Sequence, residues 1–186
     1  MKSLIKSFAF LFLICFCAIS KAQTNFIVSE TESKITVDGT SNLHDYTLTS
    51  EELKGSASLF IEDGKIANIK KVVVTLKTES LESSKAGLKR NAMKSLQPEA
   101  NPIISFIAFD MPSEGKVSGI LNVAGYDSDQ EFDYTTEWKD GKLYVTAKGQ
   151  VKFTDFQLDP PSALAGTVKA KDLLDLQMLI VLVEDK

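Results

Sequence analysis

Between Leu143 and Phe153 the residues alternate without a break. Leu143, Val145, Ala147, Gly149, Val151 and Phe153 fall on one side; Tyr144, Thr146, Lys148, Gln150 and Lys152 fall on the other. A period of two held over eleven residues is incompatible with a helix and demands a sheet with one apolar and one wet face. The pattern recurs. Leu53, Gly55, Ala57, Leu59 and Ile61 share a face, as do Val72, Val74 and Leu76, then Val117, Gly119, Leu121 and Val123, then Phe132, Tyr134 and Trp138. Shorter strands are expected at Phe26–Ser29 and Lys34–Thr40, where Ile35 and Val37 share a face. Ile103–Phe109 is apolar on both faces, so both are expected to be covered. Leu173–Val183 closes the series without clean alternation, and its faces are left unassigned.

Turn chemistry separates these runs. Glu62-Asp63-Gly64-Lys65 and Asp140-Gly141 read as hairpin turns. Further turns are expected at Glu114-Gly115 and at Asp127–Asp129, and Thr154–Lys171 is expected to be a loop around Pro160-Pro161. About eight strands at regular spacing predict an all-β antiparallel sandwich or barrel. The long strands favour a barrel. Gly55, Ala57, Gly119, Ala147 and Gly149 point inward where a solid core would carry larger groups. They either leave room for a ligand or allow tight curvature, and the pattern does not separate the two.

One segment breaks the β pattern. From Ser84, Ala86, Leu88, Ala92, Met93 and Leu96 recur at helical spacing, with Lys85, Lys89, Arg90 and Lys94 between them. Ser83 or Ser84 is placed to cap this helix, and Pro98 prevents its continuation. A short basic-faced helix inserted into a β chain must cover something.

The amino terminus has a different character. Lys2 and Lys6 precede the apolar run Phe8–Ile19, and Ser20-Lys21-Ala22 offers small residues at a cleavage site. This is the pattern of a signal peptide cut after Ala22, and the run is short of the roughly 20 residues that span a membrane. The expected domain is then residues 23–186, in the periplasm or outside the cell. Both cysteines, Cys15 and Cys17, leave with the leader, so no disulfide is expected. Losing Lys2, Lys6 and Lys21 takes the formal charge from −4 to about −7, which argues against nucleic acid or an anionic membrane as partner.

Candidate chemistry is sparse. With His44 the only histidine and no mature cysteine, a zinc site is not expected. His44-Asp45 has no serine in a nucleophile elbow to serve, and no paired carboxylates suggest acid–base work, so no enzyme and no cofactor are expected. His44 reads either as a strand-end residue bonded to a neighbour or as a contact for a ligand head group. Arg90, the one arginine, reads either as a solvated charge or as a fork of donors for carboxylate, phosphate or carbonyl groups.

Several stretches, taken in order, resemble the YceI-like family of secreted bacterial proteins, a lipocalin-like group. They are Gly39-Thr40-Ser41-Asn42-Leu43-His44-Asp45; Leu88-Lys89-Arg90-Asn91-Ala92-Met93-Lys94 leading into Asn101-Pro102-Ile103-Ile104-Ser105-Phe106; Gly119-Ile120-Leu121-Asn122-Val123-Ala124-Gly125; and Thr154-Asp155-Phe156 with Pro160-Pro161 and Asp172. The resemblance implies an extended antiparallel eight-stranded β-barrel with one helical insertion, holding a long apolar molecule such as a polyisoprenoid or quinone-type chain, without catalysis. The expected lining is Val74, Leu76, Ile104, Phe106, Leu121, Val123, Phe132, Tyr134, Val151 and Phe153, with His44 and Arg90 at the rim. Filling such an interior with a tail would gain roughly 25 cal/mol per Å² of apolar surface. A solid-packed barrel acting as an interaction module is the alternative, and a cavity above about 300 Å³ separates the two. Pairing with a second copy along an apolar edge at Ile103–Phe109 or Leu173–Val183 is a further expectation.

Overall fold

A computed structural model describes residues 22–62, 65–163 and 166–185. Residues 1–21, where a signal peptide is expected, and Asp63 and Gly64, where a hairpin turn is expected, lie outside these. The strands are β1 (Ala22–Val28), β2 (Lys34–Ser41), β3 (Asp45–Ser50), β4 (Leu53–Glu62) and β5 (Lys65–Lys77). After helix α1 (Ala86–Leu96) come β6 (Ile103–Met111), β7 (Gly115–Val123), β8 (Tyr126–Lys139), β9 (Lys142–Lys152), the two-residue β10 (Ser162–Ala163) and β11 (Val168–Glu184). All pairings are antiparallel, in the order β1-β4-β5-β6-β7-β8-β9-β11, and β1 pairs again with β11 to close eight strands into a barrel. The β2–β3 hairpin adds to the other flank of β11, opposite Ala170–Leu179, while β1 takes Leu182–Glu184.

The alternation sets the faces as expected over most strands. Leu53, Ala57 and Leu59 of β4 are buried, as are Val74 and Leu76 of β5, Leu121 of β7, Phe132 and Tyr134 of β8, and Leu143, Ala147 and Val151 of β9. Hairpins fall where glycine tolerates positive φ: Asp140-Gly141 has φ values of 52° and 74°.

Some boundaries and one face differ from expectation, and the faces of the last strand, left unassigned, are now set. The turn before β8 is Ala124-Gly125, both at positive φ, and Asp127–Asp129 lie inside β8 opposite Ile120–Asn122. The alternation there is polar on both faces, so the sequence reads as a turn although the strand continues. The last strand begins at Val168 rather than Leu173, because β10 and β2 pair with its first residues. Leu174, Leu176, Met178, Ile180 and Leu182 face the interior, and Val181 on the other face is fully buried as well. The Ser29–Ser33 connection covers it: Ser29 donates its N–H to the Val181 carbonyl, and the Val181 N–H reaches the Ser33 hydroxyl at 3.0 Å. Local cover of one outer position removes the alternation. Finally, the outer face of β6 is not covered. Ile103 and Phe109 are 44% and 58% exposed, with Lys71 Nζ 5.6 Å from the Phe109 ring centre. Neither β6 nor β11 is a sheet edge, since each has neighbours on both sides, so strand-edge pairing with a second copy is not available there.

The helix forms as read but is capped differently. Its N-cap is Lys85, which has no side-chain cap bond, and Ser83 only accepts the Lys85 N–H at 3.4 Å. Gln97 in the left-handed region closes the other end through its N–H to the Met93 carbonyl, and Pro98 follows. Asn101 then donates to the Leu96 carbonyl at 3.1 Å and fastens this end of α1 to the start of β6.

Candidate functional site

The barrel interior is divided in depth. At one end lies a cavity of about 580 Å³; deeper in is a void of about 90 Å³. Ile35, Leu76, Ile104, Leu121 and Leu176 border both and form the floor between them.

Below the floor the space is taken by rings. Phe106 and Phe132 meet edge to face with ring centres 5.3 Å apart. A Cβ on Gly119 would stand 2.6 Å from the Phe106 ring, and one on Gly149 would run into Phe132. The inward glycines of β7 and β9 therefore do not leave room for a ligand. Their missing side chains are replaced by aromatic rings reaching over from neighbouring strands. Tyr134 is anchored nearby: its hydroxyl donates to the Pro112 carbonyl, and burial, with a smaller contribution from Glu114, pushes its pKa up to about 12.

Above the floor the space stays open. Three segments bound it: helix α1, the β2–β3 turn, and the stretch from Phe153 to Ala170. The second and third are stitched together. Asn42 donates through Nδ2 to the Thr167 carbonyl at 2.8 Å and accepts the Lys169 N–H at 2.9 Å. A 3-10 turn at Phe153–Phe156 is held by Asp172, which accepts the Thr154 hydroxyl at 2.7 Å and the Thr154 N–H at 3.0 Å. Those bonds, the hydroxyl first, lower the Asp172 pKa. The helix lies across the remaining side and presents Leu88, Ala92 and Leu96 to the cavity. Ala92 is buried; Lys89 on the outer side pairs with Glu82.

Of the residues expected at the site, Leu76, Ile104, Leu121, Val123, Val151 and Phe153 border the large cavity, with His44 and Arg90 at its mouth. Val74, Phe106, Phe132 and Tyr134 do not; they belong to the packed region below the floor. The His44 main chain is fixed by the turn, its N–H to the Ser41 hydroxyl at 3.0 Å and its carbonyl accepting both the Ser41 N–H and hydroxyl. Its side chain is exposed.

Much of the wall was not anticipated. Ile35, Val37, Tyr46, Leu48, Leu174 and Leu176 all border the cavity. The alternation Tyr46-Leu48-Ser50 carried the signal for β3. Tyr46 is unusual among them. Its ring lies over Gly39 on the paired strand, and its hydroxyl oxygen is sealed from solvent with no hydrogen-bond partner among the described residues. Burial raises its pKa. Among the described residues no group of three or more His, Cys, Asp or Glu side chains is arranged to hold a metal ion.

The arrangement is one of containment: an apolar chamber, a lid, and a mouth with polar and cationic groups. Solved structures share the architecture. BcnA of Burkholderia cenocepacia superposes with a TM-score of 0.66 at 14% identity, over 83% of this chain and 98% of that one. A polyisoprenoid binding domain from Saccharophagus degradans, implicated in plant cell wall breakdown, gives 0.63 at 9% identity over 88% and 100%. The Campylobacter jejuni YCEI protein gives 0.53 at 21% identity over 71% and 81%. No curated protein matches by sequence. The YceI-like domain model matches residues 20–182, nearly the whole barrel, and the chain belongs to the YceI-like family.

Proposed function

We propose that this chain is a non-catalytic binding protein for a long apolar ligand, a polyisoprenoid, quinone-type chain or other lipid, held in the cavity beneath α1. The observation that carries the reading is the chamber itself. At about 580 Å³ it exceeds the roughly 300 Å³ at which ligand pockets begin, and its walls are aliphatic side chains of β2, β3, β5, β7, β9 and β11. Empty apolar volume of this size in a chain that packs its other half so closely is best explained by an occupant. The polyisoprenoid binding domain with the same fold supports the ligand class.

The reading extends to place and role: a carrier or sequestering protein in the periplasm or outside the cell, released from its leader near Ala22. The leader pattern and the absence of cysteine from the mature chain support this. Solvent extraction of the purified protein followed by mass spectrometry tests the binding role, with a co-purified lipid expected at near-stoichiometric amount. No lipid in the extract, together with no uptake of an added apolar probe, would overturn it. Amino-terminal sequencing of the exported protein tests the leader, and Gln23 is the expected first residue.

A further inference from the structure

We propose that the cavity selects amphiphiles with an anionic head, a phosphate or carboxylate, seated between Lys85 and Arg90 at the amino-terminal end of α1. This rests on the apolar-ligand reading above and narrows it.

The chain is acidic, with 25 Asp and Glu against 21 Lys and Arg. Yet the charged residues that border the cavity are Lys85, Arg90 and Lys152, and no carboxylate joins them. Among the described residues six other lysines pair with carboxylates, among them Lys34, Lys70 and Lys142. Lys85 and Arg90 have no such partner among the described residues. Of the nearby acids, Glu82 pairs with Lys89, Asp172 accepts from Thr154, and Asp155 accepts from the Lys152 N–H and from Gln130; Asp45 and Asp159 are exposed and do not border the cavity.

The helix adds to this field. Its first turn holds no acidic residue and no side-chain cap, so the positive end of its dipole is uncompensated. Gly87, bare of side chain, borders the cavity at that end. A tail lying against Leu88 and Leu96 would bring its head to Lys85 and Arg90 within the same helix. An anionic head meets two cations and free main-chain donors there; a neutral head leaves them to water.

Farnesyl monophosphate, farnesoic acid and farnesol share one tail and differ in the head, so they test the proposal by titration followed with native mass spectrometry. The phosphate and the acid are expected to bind the wild type about tenfold or more tightly than the alcohol, with the margin shrinking as salt is raised. The variant carrying Lys85→Gln and Arg90→Gln is expected to lose that margin while holding farnesol within about twofold of wild type. Both side chains are exposed, and an unchanged thermal midpoint will show that the variant is folded. Equal affinity of the wild type for alcohol and anions, or an anion preference that survives in the folded variant, overturns the anionic-head proposal and leaves the apolar-ligand reading standing. A phosphate preference without a carboxylate preference narrows the head to phosphate and supports it. Failure of all three probes to bind overturns both.

Discussion

The two halves of this barrel are built from the same strands and the same alternation, yet one is solid and the other hollow. In the solid half, glycines on β7 and β9 face phenylalanines from β6 and β8, and ring and gap fill each other. In the hollow half the inward residues are of ordinary size, Leu121, Val123, Val151 and Leu174, and nothing crosses the axis to meet them. Small inward residues therefore mark the packed end, and medium ones mark the cavity. Stability is concentrated in the first region, and capacity for a ligand in the second.

Substitutions that treat the halves differently are the way to break this contrast. Phe132→Ala should have the largest effect. The side chain is 2% exposed and packed on Phe106 and Gly149, so urea unfolding should show a loss of about 3–5 kcal/mol. A loss under about 1 kcal/mol would show that the lower half is not the stabilising one. Val123→Phe grows into open space, so stability should change by less than about 1.5 kcal/mol while uptake of an apolar probe falls sharply. Undiminished uptake in that variant would place the ligand elsewhere.

Two predictions concern pH. The tyrosine at position 134 has its pKa raised, mainly by burial, to about 12. Its protonated form is favoured in the folded state, so the contribution is full below the unfolded value near 10 and is lost as pH rises towards 12. Tyr134→Phe should flatten that alkaline limb in a pH series of thermal melts. Asp172 has the opposite sign. Its carboxylate is favoured by the Thr154 bonds, so its contribution is present above the unfolded value near 3.9 and is lost as pH falls below it. Asp172→Asn should blunt the acid limb and loosen the Phe153–Phe156 turn at the mouth, measured as faster hydrogen exchange there. The smallest effect should come from Lys116→Gln. Its pairing with Glu131 lies on the exposed outer face, and the thermal midpoint should not move measurably.

How much of this was legible follows from what a period of two can say. It states whether a residue points in or out, and it did so for β4, β5, β7 and β9. It does not state the height of a residue along the barrel axis. Phe132 and Val151 are equally inward, but one sits below the floor and the other above it. Height depends on register between strands, such as Phe106 opposite Leu121 and Tyr134 opposite Ala147, and single-strand patterns carry no register. The last strand was opaque for another reason. Its outer Val181 is covered by a connection 148 residues away in the chain, information that no local window contains. The helix was legible because its period differs from everything around it; its cap was not, because Ser84 and Ser83 stand one and two residues before the N-cap Lys85 and neither accepts from the first turn of α1.

The closure of the barrel carries a consequence for time as well as shape. The seam is three residue pairs, Phe26–Val28 against Leu182–Glu184, with Asp185 adding its N–H to the Asn25 carbonyl at 2.9 Å. The first strand thus waits for the last. Until β11 is made, β1 and β9 each lack a neighbour and the hollow half has no complete wall. Non-local closure of this kind slows folding, and the sheet stays open and unsealed until β11 is in place. Because the two described ends lie side by side, a permuted chain with these ends joined and a new opening at the Asp140-Gly141 hairpin would bring β1 next to β11 in sequence, turning the slowest contact in the molecule into a local one.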